Sequence, residues 1–312
     1  MSAPSIRPDV RQFIDYLESL NRPKVYEIGA EAARKMMIAS RQAFERPARE
    51  IAVVKDVAGP VPLRLYDARE GRQPGPLLLF IHGGGWVIGD LETHEPFCID
   101  LAIELDLPVV AVDYRLAPEF PFPAAFEDSL AATRWVASGR DELGLMPTGL
   151  ILAGDSAGGN LAAAVSAALR EEPADVPVLG QWLIYPAADP GTRYPSYDEF
   201  CQGHLLTKES MDWFEDSYAG PKDDWRYCPL LKGAERLPPT FVTTAGLDPI
   251  RDQGRAYAAR CAEAGVETIY FEAPGTIHGF LNLRKGIPSA QQDFQTCIDY
   301  LKPWVERARD LR

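Results

Sequence analysis

Gly154-Asp155-Ser156-Ala157-Gly158 sets a serine between two glycines, directly after an apolar run at 150–153 and directly before a helical run from Asn160 to Leu169. A serine at a sharp strand-to-helix turn presents its hydroxyl at the carboxyl end of a sheet, where it can act as a nucleophile. The plainer reading is a Gly-rich helix start with Ser156 as its N-cap. A neutral hydroxyl is a weak nucleophile and needs a base within reach. His278 follows the last apolar run, 268–271, and is the candidate base. Of the other histidines, His82 sits in a glycine loop, His94 opens a helix and His204 lies in a long insertion. The base needs an acid to orient it. Asp248 and Asp252 both follow the apolar run 241–244, and Asp248, nearer its end, is preferred. An Asp before a Pro also suits a helix N-cap, and the two roles are compatible. The chemistry indicated is acyl transfer through Ser156, His278 and Asp248.

His82-Gly-Gly-Gly-Trp86 follows the run 77–81. Successive glycines leave their N–H groups unscreened, suited to a developing oxyanion. Gly84 and Gly85, with the N–H of Ala157, are the expected donors, and Gly83 shapes the turn. The competing reading, a phosphate cradle, would need a following Lys-Ser or Lys-Thr, which is absent. His82 is read as structural.

These groups need a scaffold. Continuous apolar runs at 77–81, 109–112, 150–153, 179–185, 241–244 and 268–271 alternate with helical stretches near 94–105, 124–138, 158–171, 251–264 and 289–309. Strands apolar on both faces, separated by helices, predict an α/β fold with a mostly parallel sheet covered on both sides. Two further strands, 51–54 and 61–66, flank a turn at Gly59-Pro60, and the first 45 residues read as helical. The division expected is 1–45 as N-terminal helices contributing to a cap, 46–186 and 238–312 as two parts of one core, and 187–237 as an inserted cap. That insertion is too long for an ordinary connection and is rich in aromatics. Trp86, Asp155, Trp213 and Phe214 are the candidate pocket residues, with the choice between substrate wall and cap core left open for the aromatics.

The chain has 312 residues, 46% hydrophobic and 25% charged, with a net charge of -13. An acidic surface argues against nucleic acid or anionic lipid as a partner. No apolar stretch is long enough for a membrane helix, and the N-terminus lacks a signal-peptide pattern. Five scattered cysteines fit reduced thiols in a cytoplasm, and neither cysteines nor histidines form a metal motif, so no metal or cofactor is expected.

Taken together, His82-Gly-Gly-Gly-Trp86, Tyr114-Arg-Leu-Ala-Pro-Glu119, Gly154-Asp-Ser-Ala-Gly-Gly-Asn160, Asp248-Pro-Ile-Arg-Asp252 and His278-Gly-Phe280 resemble the hormone-sensitive-lipase-like esterases, bacterial family IV of the α/β-hydrolase superfamily. Gly89-Asp-Leu-Glu-Thr-His94 and Leu183-Ile-Tyr-Pro186 are similar to that family too. The resemblance runs from about residue 50 to the C-terminus. It implies an eight-stranded sheet, a cap built from the N-terminal helices and the insertion, and hydrolysis of short- to medium-chain acyl esters. Asp155 matches the subgroup with Asp before the nucleophile. Tyr114 to Glu119 are structural in the family. Cys228-Pro-Leu230 stands where the family often has Ser-Pro-Leu. Two alternatives remain at this stage: an amidase or deacetylase using the same triad, and a ligand receptor like the plant gibberellin receptors, which lack the working base. The strand at 268–271 is expected at a sheet edge, open to pairing in a homodimer.

Overall fold

The computed structural model describes residues 5–310. Eight strands form one sheet: β1 (Val53–Ala58), β2 (Pro62–Asp67), β3 (Gly75–Ile81), β4 (Val109–Val112), β5 (Pro147–Asp155), β6 (Val178–Ile184), β7 (Thr240–Leu247) and β8 (Thr268–Ile277). Their spatial order is β1-β2-β4-β3-β5-β6-β7-β8. Among these strands β2 alone runs against the rest, pairing antiparallel with both β1 and β4. β1 and β8 form the two edges, as expected for 268–271.

The parallel strands are apolar throughout because both faces are covered. On one face Leu77, Leu79, Leu150 and Val242 pack under α4 (Ala124–Ala137), α5 (Ala157–Glu171) and α8 (Arg251–Glu263). On the other, Leu78, Phe80, Ile151 and Trp182 pack under α3 (Leu91–Leu105) and α9 (Ala290–Asp310). Alternate residues of one strand thus feed two different cores, the period-two geometry of a pleated chain.

The first strand was placed at 51–54 from sequence, and it forms instead at Val53–Ala58. Only Val57 of β1 is fully buried, so its edge position left no apolar run to mark it. The helical reading of the N-terminus resolves into α1 (Pro8–Ser19) and α2 (Val25–Phe44), the latter broken at Gly29 with φ 76°. Between β6 and β7 the insertion contains α6 (Pro195–Phe200), α7 (Lys208–Tyr218) and a short 3-10 turn at Pro229–Lys232. α2 and α7 meet over the carboxyl ends of the strands. Among the described residues no helix is long and apolar enough to cross a membrane.

Candidate active site

Four strand ends converge beneath α2 and α7. β3 runs into the glycine loop, β5 into Ser156, β7 into Asp248 and β8 into His278. Parallel strands put all four carboxyl ends on one side of the sheet, where ligand sites of such sheets lie.

Ser156 occupies the junction of β5 and α5 with φ 56° and ψ -116°. A non-glycine residue there is strained, by on the order of 1–3 kcal/mol. The surrounding bonds enforce it: Ser156 donates its N–H to Ile184 at 2.8 Å, and its carbonyl accepts from Asn160 at 3.0 Å. The flanking glycines are a matter of space. A Cβ on Gly158 would lie 1.9 Å from the Ile81 carbonyl oxygen, and one on Gly154 2.3 Å from the carbonyl oxygen of Gly158.

His278 Nε2 lies 2.9 Å from Ser156 Oγ, and its Nδ1 lies 2.7 Å from Asp248 Oδ2. The ionised Asp248 can only accept, so Nδ1 carries the proton and Nε2 turns its lone pair toward the hydroxyl. Asp248 is wholly buried, and its other oxygen accepts the Ile250 N–H at 2.9 Å. That bond makes a local turn, not the helix cap expected of Asp248. The N-cap of α8 is Ile250. Asp252, the less favoured acid, takes no part. It accepts from Ser196 N at 3.0 Å and from Arg251 Nε at 2.9 Å, tying the insertion to α8.

In the glycine loop, Gly83 N–H is already committed to Asp155 Oδ1 at 2.7 Å. The N–H groups of Gly84, Gly85 and Ala157 have no acceptor among the described residues. The loop is fixed from below by a buried polar cluster. Tyr114 donates to the His82 carbonyl at 2.8 Å and stacks on the His82 ring at 4.3 Å. Asn282 donates to Asp155 Oδ2 at 3.2 Å. His94 Nε2 stands 3.2 Å from Asp155 Oδ1, without the alignment of a hydrogen bond. Burial pushes the Asp155 carboxyl up, but His94, the charge of Arg41 and the Gly83 N–H outweigh it and bring it down to about 2. Burial, reinforced by His94, lowers His82 to about 4, so it stays neutral.

A cavity of about 300 Å³ opens above Ser156 and His278. Trp86, Asp155 and Phe214, three of the four candidate pocket residues, line it. Trp86 also packs on α7: its ring stacks on Tyr218 at 4.7 Å, nearly coplanar. The Asp155 carboxylate is consumed by the loop contacts above. Trp213, for which the sequence leaves substrate wall and cap core both open, does not line the cavity. It packs sideways toward the main core, because neighbours on a helix diverge by about 100° and only Phe214 turns to Gly85. The sequence reading missed Met37, Arg41 and Phe44 of α2 and Met211 of α7. Ala33, Met37, Ser40 and Phe44 recur at helical spacing, which was the available signal.

A strained serine at a strand–helix elbow, an imidazole on its hydroxyl and a buried carboxylate on that imidazole define a serine hydrolase of the α/β-hydrolase architecture. Comparison with known proteins places it further. Residues 78–282 match a family model described as the alpha/beta hydrolase fold. A carboxylic ester hydrolase of Mycobacterium tuberculosis, LipN, is 40% identical over 81% of this chain and 70% of its own length. An ethyl acetate hydrolase of Pseudomonas putida is 34% identical over 96% of this chain and 99% of its own. Among solved structures, an ester hydrolase from the metagenome of Lake Arreo, complexed with a bipyridine phosphonate derivative, superposes with a TM-score of 0.89 at 37% identity, covering 96% of this chain and 98% of that one. The chain belongs to this family, in its hormone-sensitive-lipase-like branch, and is an α/β-hydrolase esterase.

Proposed function

We propose that the protein hydrolyses short- to medium-chain carboxylic esters through an acyl-enzyme on Ser156. The observation that carries this is the unbroken relay Ser156 Oγ, His278, Asp248, with contacts of 2.9 and 2.7 Å. Ser156 Oγ attacks the ester carbonyl carbon while His278 Nε2 takes its proton. Asp248 holds the imidazole in the Nδ1–H tautomer and stabilises the imidazolium. The carbonyl oxygen becomes an oxyanion, met by the N–H groups of Gly84, Gly85 and Ala157. As the C–O bond breaks, Nε2 returns the proton to the departing alcohol. Water, deprotonated by the same nitrogen, then releases the acid and restores the serine.

Chain length follows from the cavity. Its walls are apolar over most of their area, and about 300 Å³ is at the small end of ligand pockets. The ethyl acetate hydrolase from Pseudomonas putida is a relative named for a small ester, which agrees with this reading. A series of p-nitrophenyl esters tests it. Ser156→Ala is expected to lower kcat on the butyrate ester by a factor on the order of 10⁴ or more, with little change in fold. Hydrolysis that survives this substitution would sink the mechanism.

A further inference from the structure

The apolar cavity above Ser156 is lined by one guanidinium that has no ion-pair partner among the described residues. Arg41, in the last turn of α2, lines the cavity beside Phe44, Met37 and Leu283. Its Nη1 donates to the Asn282 carbonyl oxygen at 2.5 Å. No other acceptor for its five N–H donors, and no carboxylate within salt-bridge distance, occurs among the described residues.

The nearby acids are spoken for. Glu45, one turn on, is paired with Arg284 at 2.8 Å. Asp155 feels the charge of Arg41, but across more than salt-bridge distance, and its oxygens are held by Gly83, Asn282 and His94. Glu215 lines the cavity from α7, but Lys222 stands 3.8 Å from it, and burial raises its carboxyl, which weakens its claim to a negative charge. Arg41 is half-buried, so its remaining donors face the open cavity, free for a ligand to complete. The α2 C-terminus and one carbonyl stabilise the charge without using the remaining donors. Their planar fork matches a carboxylate. The acidic balance of the whole chain makes a lone cation at the reaction centre more notable still.

Resting on the esterase reading above, we propose that Arg41 is a specificity residue that seats a carboxylate carried by the substrate, so that the protein takes esters with a second, anionic end: half-esters of dicarboxylic acids, or acyl esters of hydroxy acids. The reacting ester sits at Ser156, and the free carboxylate reaches along the cavity to α2.

The test compares matched pairs. p-Nitrophenyl half-esters from succinate to suberate are set against neutral p-nitrophenyl esters of equal chain length, each corrected for uncatalysed hydrolysis. Acetate esters of ω-hydroxy acids against acetates of plain alcohols probe the other side of the ester. The readout is the ratio of kcat/KM, charged over neutral, within each protein, so that any general disturbance of α2 cancels. Wild type is expected to show a maximum of this ratio at one chain length in one of the two arms. Arg41→Met should lower that maximum on the order of tenfold or more, and Arg41→Lys should retain part of it. A ratio equal in wild type and Arg41→Met in both arms overturns the proposal. If neutral esters are still cleaved by wild type and not by Ser156→Ala, only the carboxylate site has fallen. Neutral-ester turnover that survives Ser156→Ala overturns both.

Discussion

Gly84 carries more constraint than any other residue of the glycine loop. Its φ is 122°, a region open to glycine, and a Cβ there would lie 2.0 Å from the carbonyl oxygen of Ile88. That oxygen is backbone, so nothing flexible can yield. The same loop offers two of the three free N–H groups near Ser156. Gly84→Ala therefore has to shift the loop, and the donors with it. The expected outcome is a loss in kcat of about 10²–10³ on p-nitrophenyl butyrate, with KM much less affected, since the oxyanion exists only after attack. A loss below about tenfold, in a protein that still folds, would mean that this loop does not meet the oxyanion. Gly83 gives a useful contrast. Its N–H already serves Asp155, so it contributes by fixing the loop and not by donating to substrate.

Helices α2 and α7 decide what reaches those residues, and their attachment is electrostatic as well as apolar. Arg284 is fully buried just past the end of α2, with Glu45 at 2.8 Å and Asp100 of α3 at 2.8 Å. Its guanidinium lies over the rings of Phe97 and Phe294. Arg34 holds the middle of α2 by donating to the carbonyls of Val87 and Ala117 and by pairing with Glu119. Arg284→Met would leave the buried Glu45 carboxylate without a cation and Asp100 with Arg49 alone, at 3.3 Å, which costs about 3–5 kcal/mol. Chemical denaturation should show that loss, and a change under about 1 kcal/mol would mean that water reaches the site. These attachments were illegible in the sequence, because an ion pair between residues 239 positions apart has no local pattern. The core strands were legible for the opposite reason: burial on both faces writes a continuous apolar run. The meeting of Ser156, His278 and Asp248 was legible because chain order and the elbow motif point to it without any knowledge of packing. The placements of Trp213 and Arg41 were not, since the rotation of α7 and α2 depends on what they pack against.

Across the whole molecule, one buried group and one half-buried group are shifted in opposite senses in the same acid range. His82 is held down to about 4, against an ordinary value of 6.5, by burial and by His94. The unfolded chain therefore binds a proton that the folded one refuses, and stability falls as pH drops from about 6.5 to 4. Asp113, just past β4, is raised to about 6 from 3.8, first by burial and then by Asp90, with Arg64 opposing and Glu92 assisting. Here the folded chain binds the proton first, so stability rises as pH falls from about 6 to 4. Each contributes a slope of about 1.4 kcal/mol per pH unit between its folded and unfolded values, with opposite sign, so the two offset each other in the wild type. Neither group lines the cavity, and both shifts arise from packing that pattern-reading of the sequence does not contain. Removing one should expose the other. Asp113→Asn keeps the shape of the side chain and cannot ionise. Its stability, measured by denaturant unfolding at a series of pH values, should fall faster than that of wild type between about pH 6 and 4, the difference approaching 1.4 kcal/mol per unit. Curves that stay parallel through that window would show that Asp113 titrates normally and that the compensation does not exist.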